Sequence, residues 1–168
     1  MRLKHYLSCM LILLSFVTVN AQEKKELKEG DQAPTFKYLD INGKEVSLSE
    51  LKGKYVYIDI CATWCGPCTG ELPHLKELEK KMHGKKIVFV SLSTDQNKAV
   101  WEKFVKENDM DGIQLFAGDK GKEMMSFYVV ESIPRFILLD KKGRIVDAFM
   151  TRPSNEKTKE TLMKLKGI

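Results

Sequence analysis

Two cysteines separated by two residues, Cys65 and Cys68, are the side chains in this sequence best suited to chemistry. An apolar, β-prone segment ends at Trp64, directly before them, and a helical pattern follows. The first N–H groups of a helix are unpaired and carry a partial positive charge, so a thiol placed there has a lowered pKa. The thiolate is the form of cysteine that attacks a disulfide, and a second thiol one turn later can close one. The spacing therefore predicts a redox-active pair in which Cys65 is the attacking thiol.

The same pair could instead be half of a structural zinc site, which needs four ligands that usually come as two spaced pairs. The other thiol beyond the N-terminal segment is Cys61, and the downstream histidines are His74 and His83. These residues form no second pair at zinc-finger or zinc-ribbon spacing. We therefore favour the redox interpretation and expect no metal.

The first 21 residues have the pattern of a secretory signal peptide. Arg2 and Lys4 precede an apolar run at 11–19, and Val19 and Ala21 mark a cleavage site after residue 21. The run is shorter than the roughly 18–20 residues that cross a bilayer, and a retained membrane anchor is the alternative. We expect an exported protein of the periplasm or cell envelope, where disulfides persist. Residues 22–29 are charged and predict a flexible tether, and 30–168 predict one domain.

The charge balance argues against a nucleic-acid partner. Without Arg2 and Lys4 the chain keeps 26 of its 28 basic residues, against 23 acidic ones. Lysines at 80–81 and 85–86 are scattered, and no dense basic tract with aromatic residues occurs. This pattern is typical of a solvated surface.

Hydrophobic periodicity predicts strands that alternate with helices. The turn Asn42-Gly43 joins strands at 35–39 and 44–48 into a hairpin. Further strands are predicted at 55–60, 87–92, 113–116, 135–139 and 144–148, and helices after Cys65 and at 96–108, 122–128 and 155–166. This order predicts an α/β fold with a central mixed sheet flanked by helices and an N-terminal β-hairpin.

The same periodicity predicts which helical residues face the core. We also expect Pro67 at the first helical position, where a missing N–H leaves no hydrogen bond unmade. The predicted inward residues are Leu72, Leu75, Leu78, Met82, Val100, Trp101, Phe104, Val105, Leu162, Met163 and Leu165.

Several segments resemble the thioredoxin superfamily, specifically its exported TlpA/ResA-like thiol-disulfide oxidoreductases. The run Ala62–Cys68 followed by Glu71-Leu72-Pro73 resembles the active-site signature of that family. Ile133-Pro134 resembles its second signature, a cis-proline loop that faces the cysteines. The segments 30–34 and 140–143 are similar to the opening segment and the last hairpin turn. The resemblance covers roughly residue 30 to the C-terminus and implies a thioredoxin-like fold.

The resemblance also implies a role for each matching residue. Cys65 would be the nucleophile and Cys68 the resolving thiol, while Asp59 and Glu71 would assist catalysis and Pro73 would kink the helix. The residues implied in contact with the partner protein are Trp64, Gly66, Pro67, Ile133 and Pro134.

Asp59 and Glu71 each have a second interpretation. Desolvation on a buried strand raises the pKa of a carboxyl group, so Asp59 could exchange a proton with Cys68 near neutral pH. The alternative is a surface aspartate at a strand end. Glu71 matches an acid near the cysteines of ResA-like proteins, but a glutamate in a first helical turn also stabilises the helix without any catalytic role.

Cys61 departs from the family pattern. The spacing from Cys61 to Cys65 resembles copper-carrying Sco-type proteins of the same fold, which would add a histidine ligand. Free cysteine is among the most buried residue types, however, and Cys61 belongs to a predicted buried strand. We expect an inert core thiol.

The resemblance implies dithiol–disulfide exchange with partner proteins, in the reducing direction, as in cytochrome c maturation. It implies a membrane electron donor, since the periplasm is kept oxidising, and no cofactor beyond the Cys65–Cys68 disulfide. We expect a monomer. A peroxiredoxin-like peroxidase is an alternative that needs an arginine beside Cys65, and the sequence offers Arg135, Arg144 and Arg152, all distant along the chain.

Overall fold

The computed structural model describes residues 26–168, so the signal segment predicted at 1–21 lies outside the described residues. The strands are β1 (Lys37–Asp40), β2 (Glu45–Ser47), β3 (Tyr55–Cys61), β4 (Ile87–Ser93), β5 (Ile113–Phe116), β6 (Arg135–Leu139) and β7 (Ile145–Met150). These seven strands form one sheet in the order β2-β1-β5-β4-β3-β6-β7. β3, β4 and β5 are parallel, whereas β6, β7 and the β1–β2 hairpin run antiparallel to their neighbours. The predicted mixed sheet and hairpin are confirmed.

Helices cover both faces of this sheet. They are α1 (Gly66–Thr69), α2 (Leu72–Lys81), α3 (Lys98–Glu107), α4 (Gly121–Phe127) and α5 (Glu156–Met163). Leu75 and Leu78 of α2 and Leu162 of α5 pack against one face, on Tyr57 and Phe136. The other face carries α4, a short 3-10 turn at Leu48–Leu51 and the segment before β1. Within residues 26–168, none of the helices has the length and apolar character needed to cross a bilayer.

The helix predicted to begin at the cysteines is divided into α1 and α2. Gly70 and Glu71 between them keep right-handed helical backbone angles, so the chain direction is maintained. Pro73 lacks the N–H that would reach the carbonyl one turn earlier, which explains the interruption. Pro67 occupies the second position of α1 and not the first, because Cys65 is the N-cap and the helix begins one residue later.

Three further expectations need correction. Val100 and Met163, predicted to face the core, are half exposed. Each follows or precedes a fully inward position by one residue, and one residue rotates a side chain by about 100° around a helix. Leu27, placed by composition in a flexible tether, packs against the core, so this residue belongs with the folded domain.

Candidate active site

A disulfide joins Cys65 and Cys68 where β3 passes into α1, with a Cα–Cα distance of 5.2 Å. Cys65 caps α1, and its Sγ accepts a hydrogen bond from the backbone N–H of Cys68 at 3.3 Å. When the disulfide is reduced, that N–H favours the thiolate form of Cys65 over the thiol. Cys65 and Cys68 are buried residues, while Gly66 and Pro67 between them are exposed.

The loop before β6 closes over the disulfide. The Ile133–Pro134 peptide bond is cis, which confirms the sequence prediction. Ile133 packs against the cluster of Ala62, Cys65 and Cys68. Trp64, which directly precedes Cys65 in the sequence, is 71% exposed. The segments expected to contact a partner therefore come together around the disulfide.

Asp59 lies on β3 in the wall of a cavity of about 20 Å³ that extends to Cys68. Its side chain is 6% exposed, and its Oδ1 has no hydrogen-bond partner within the described residues. Burial raises the pKa of Asp59 to about 7, a hydrogen bond from the Cys61 thiol offsets part of that rise, and the charge of Glu71 adds to it. The predicted burial is confirmed and the surface interpretation is wrong. A cavity of this size has room for one water molecule, and Asp59 supplies a polar group in a wall that is otherwise mostly apolar.

Glu71 has a different environment, although it is also buried. Its carboxylate accepts hydrogen bonds from the backbone N–H and the hydroxyl of Ser154, both at 2.9 Å. Arg152 lies 3.8 Å from the same carboxylate. These contacts tie the start of α2 to the loop after β7, and Glu71 is not among the residues that line the Asp59 cavity. Its catalytic role stays a prediction, since a structural role already accounts for its burial.

Cys61 ends β3, is partly buried and lines the same cavity as Asp59. Burial raises the pKa of Cys61 well above its usual range, and the carboxylates of Asp59 and Asp95 add to the rise. The thiol form is therefore favoured at neutral pH, but the position of Cys61 at the end of β3 leaves it partly exposed and not in the core as expected, and its inert character stays a prediction. His74 and His83 are exposed and line other grooves. In the described part of the chain no three His, Cys, Asp or Glu side chains are grouped to hold a metal ion.

The arginines considered for a peroxidase have other neighbours. Arg144 pairs with Asp140 at 2.8 Å, and Arg152 lies near Glu71. Arg135 lies over the ring of Phe149. No observation thus favours the peroxidase alternative.

Asp95 is part of this site and was missed by the sequence analysis. It is buried in the loop after β4, and its carboxylate accepts hydrogen bonds from the N–H and hydroxyl of Thr63 at 3.0 and 2.7 Å. The hydroxyl of Ser93 donates a third at 2.7 Å. Asp95 thereby holds the segment that carries the cysteines. The available signal was its position, since the ends of adjacent parallel strands meet at one edge of a sheet.

A disulfide at a strand–helix junction, with Ile133 packed against it on a mixed, two-sided sheet, defines a thiol-disulfide oxidoreductase of thioredoxin-like fold. A model of the redoxin family matches residues 28–164 of this chain. The chain belongs to the redoxin family, and the resemblance to TlpA/ResA-like proteins is confirmed by its relatives.

One such relative is the thiol-disulfide oxidoreductase ResA of Bacillus cereus. It is 32% identical over 143 residues, which cover 85% of this chain and 82% of ResA. The solution structure of a Bacteroides vulgatus protein described as a thiol-disulfide oxidoreductase is 57% identical, with a TM-score of 0.72 over 79% of this chain and 89% of that one. The thioredoxin domain of another Bacteroides vulgatus thiol-disulfide oxidoreductase is 30% identical, with a TM-score of 0.76 over 83% and 98% of the two chains.

Proposed function

We propose that this protein reduces disulfides of partner proteins in the cell envelope, with Cys65 as the nucleophile and Cys68 as the resolving thiol. The observation that carries the proposal is the position of the Cys65 sulfur, which accepts the Cys68 N–H at the cap of α1. A thiolate at such a position is the attacking species of disulfide exchange.

The reaction has two exchange steps. The Cys65 thiolate attacks one sulfur of the partner disulfide, which forms a mixed disulfide and releases the first partner thiol. The thiol of Cys68 then loses its proton and attacks the Cys65 sulfur. This step restores the Cys65–Cys68 disulfide, releases the second partner thiol and completes the transfer of two electrons to the partner.

Asp59 is suited to take the proton of Cys68 in the second step. Both residues line one cavity, and one oxygen of Asp59 has no partner within the described residues. A pKa of about 7 lets the carboxyl group accept and return a proton near neutral pH. A proton could pass directly or through a water molecule held in the cavity.

The reducing direction has support from the resemblance. An ionised Asp59 in the same cavity disfavours a thiolate at Cys68, so Cys68 keeps its proton until the mixed disulfide has formed. The signal-like segment at 1–21 supports export. Because the compartment that receives exported proteins is oxidising, reduction of the Cys65–Cys68 disulfide needs a membrane electron donor.

The reduction potential of the Cys65–Cys68 pair tests the direction. Equilibration with glutathione, read by alkylation, should give a value near that of thioredoxin, about −270 mV. A value near that of a strong oxidant, about −120 mV, would contradict the reducing role. The Cys68→Ser variant should trap partner proteins as mixed disulfides in cells, whereas a Cys65→Ser/Cys68→Ser control should trap none.

A further inference from the structure

A groove of about 380 Å³ runs beside the end of strand β7, which is an edge strand of the sheet. Pro134, Arg135, Phe149 and Arg152 contribute to its lining. Pro134 follows Ile133, the residue that packs against the disulfide. The groove therefore begins one residue after the residue that packs against the disulfide.

Arg135 is the unusual member of the groove. Its guanidinium lies 4.0 Å from the centre of the Phe149 ring, and Phe149 is 60% exposed. Within residues 26–168 the Arg135 side chain has no salt bridge and no hydrogen bond; the other two arginines of that range each pair with a carboxylate. Burial lowers the pKa of Arg135, and the charge of Glu131 only partly opposes this. A partly desolvated guanidinium without a salt bridge is a group that an incoming carboxylate would stabilise.

Arg152 adds positive charge to the same groove but is already partly neutralised. Its Nη1 lies 3.8 Å from the carboxylate of Glu71, which Ser154 in turn holds in place. Arg135 is therefore the stronger site for a partner's negative charge, and Arg152 supports it at longer range.

We propose that this groove selects partner proteins that carry an acidic side chain close to the cysteine being reduced. The carboxylate binds Arg135, and an apolar neighbour packs on the exposed ring of Phe149. Arg135 lies two residues beyond Ile133, and extended chain advances about 3.3 Å per residue, so the acidic residue lies roughly two or three positions from the reacting cysteine. This inference rests on the proposed function and specifies its substrate class.

Three peptides test the inference. Each carries one cysteine as its mixed disulfide with neutral 2-thiopyridine and differs only at the third residue from the cysteine, which is Glu, Gln or Lys. The second-order rate constant of the reduced, full domain with each peptide is read from release of 2-thiopyridone at neutral pH. We expect the Glu peptide to react about fivefold faster than the Gln peptide, and this preference to shrink in high salt.

Variants of the protein test whether Arg135 causes the preference for the Glu peptide. Arg135→Gln should bring the Glu and Gln peptides to nearly equal rates, and Arg135→Glu should reverse the order in favour of the Lys peptide. Arg144→Gln is the matched control, because Arg144 pairs with Asp140 in the β6–β7 turn. It should keep the native preference. Arg135→Lys, which keeps the charge, should retain part of the preference if Arg135→Gln proves poorly folded by circular dichroism.

Two outcomes would contradict the inference in different ways. If the native protein reduces all three peptides at equal rates, or if Arg144→Gln removes the preference as well, the groove does not select acidic partners and the proposed function stands. If none of the peptides is reduced, the proposed function fails and this inference with it.

Discussion

Two regions of this protein each hold a carboxyl group whose pKa is raised to about 7, and burial is the main cause in both. Asp59 lies on β3 in a small cavity that it shares with Cys68. Glu79 lies on α2 in a wide groove at the opposite end of the sheet, where β3 and β4 begin. The charge of Asp111 and, more weakly, that of Asp59 add to the rise of the Glu79 pKa, and the charge of Lys76 lowers it.

The comparison shows that a raised pKa does not by itself identify a catalytic acid. Glu79 packs under the turn at Gly112, where its Oε1 would lie 2.7 Å from any added Cβ, and cysteines are absent from the lining of its groove. Asp59 has a sulfur in its own cavity and an oxygen without a partner in the described chain. We therefore propose a proton-transfer role for the shifted carboxyl group of Asp59 and none for that of Glu79.

The largest effect is expected from removal of the attacking thiol. Cys65→Ser should lower insulin-disulfide reduction by about 10³-fold or more, because a serine hydroxyl cannot take part in thiol–disulfide exchange. Alkylation of the gently reduced native protein near pH 6 should label Cys65 before Cys68. Earlier labelling of Cys68 would contradict the assigned order of the two thiols.

The second prediction is that Asp59, and not Glu79, affects the rate at which the mixed disulfide is resolved. Asp59→Asn should slow resolution of the mixed disulfide by about 10- to 100-fold near neutral pH, because the amide cannot accept the Cys68 proton. The native rate should rise with pH through about 7, where Asp59 ionises, and the variant should lack that rise. Glu79→Gln should change the rate by less than about twofold. Stopped-flow measurement from about pH 6 to about pH 8 decides the matter, and equal rates for native and Asp59→Asn protein would argue against the proton role.

The third prediction concerns the free energy of unfolding, which we expect to change in the same direction at Asp59 and at Glu79. Each carboxyl pKa is higher in the folded than in the unfolded chain, so the folded protein binds more protons between the two values. This contribution to stability is fully present below about pH 4 and is lost as the pH rises through about 7. At about pH 8, Asp59→Asn and Glu79→Gln should each raise the free energy of unfolding of the oxidised protein by about 1–3 kcal/mol, with the larger gain at the more buried Asp59.

Denaturant unfolding at two pH values checks this third prediction. Near pH 4 both variants should match the native protein, because the native carboxyl groups are then protonated as well. A gain of equal size at both pH values would mean that packing, and not ionisation, is responsible.

The smallest effect is expected at Cys61. Cys61→Ala should keep the exchange activity, because the thiol is predicted to be inert. It should also move the pH dependence of the Asp59 step slightly upward, since the thiol hydrogen bond lowers the pKa of Asp59. Loss of tight copper binding in this variant, relative to the native protein, would instead favour the Sco-like interpretation.

The sequence was sufficient for those features that depend on near neighbours. The bounds of β5 and β6 agree with the prediction, because each is a short apolar run between turn signals. The Cys65–Cys68 pair was evident from its spacing and from the strand and helix patterns around it. The burial of Asp59 was expected because the residues beside it on β3 are apolar.

Other features depended on which strands became neighbours. Asp95 holds Thr63 because β4 pairs with β3, and Ser154 holds Glu71 from 83 residues away. Phe149 comes under Arg135 because β6 and β7 pair antiparallel at the edge of the sheet. A local pattern predicts which face of an element is apolar, but not which distant polar group will meet it. The cysteines could therefore be read from the chain, whereas the carboxylates and arginines acquired their partners only through the tertiary fold.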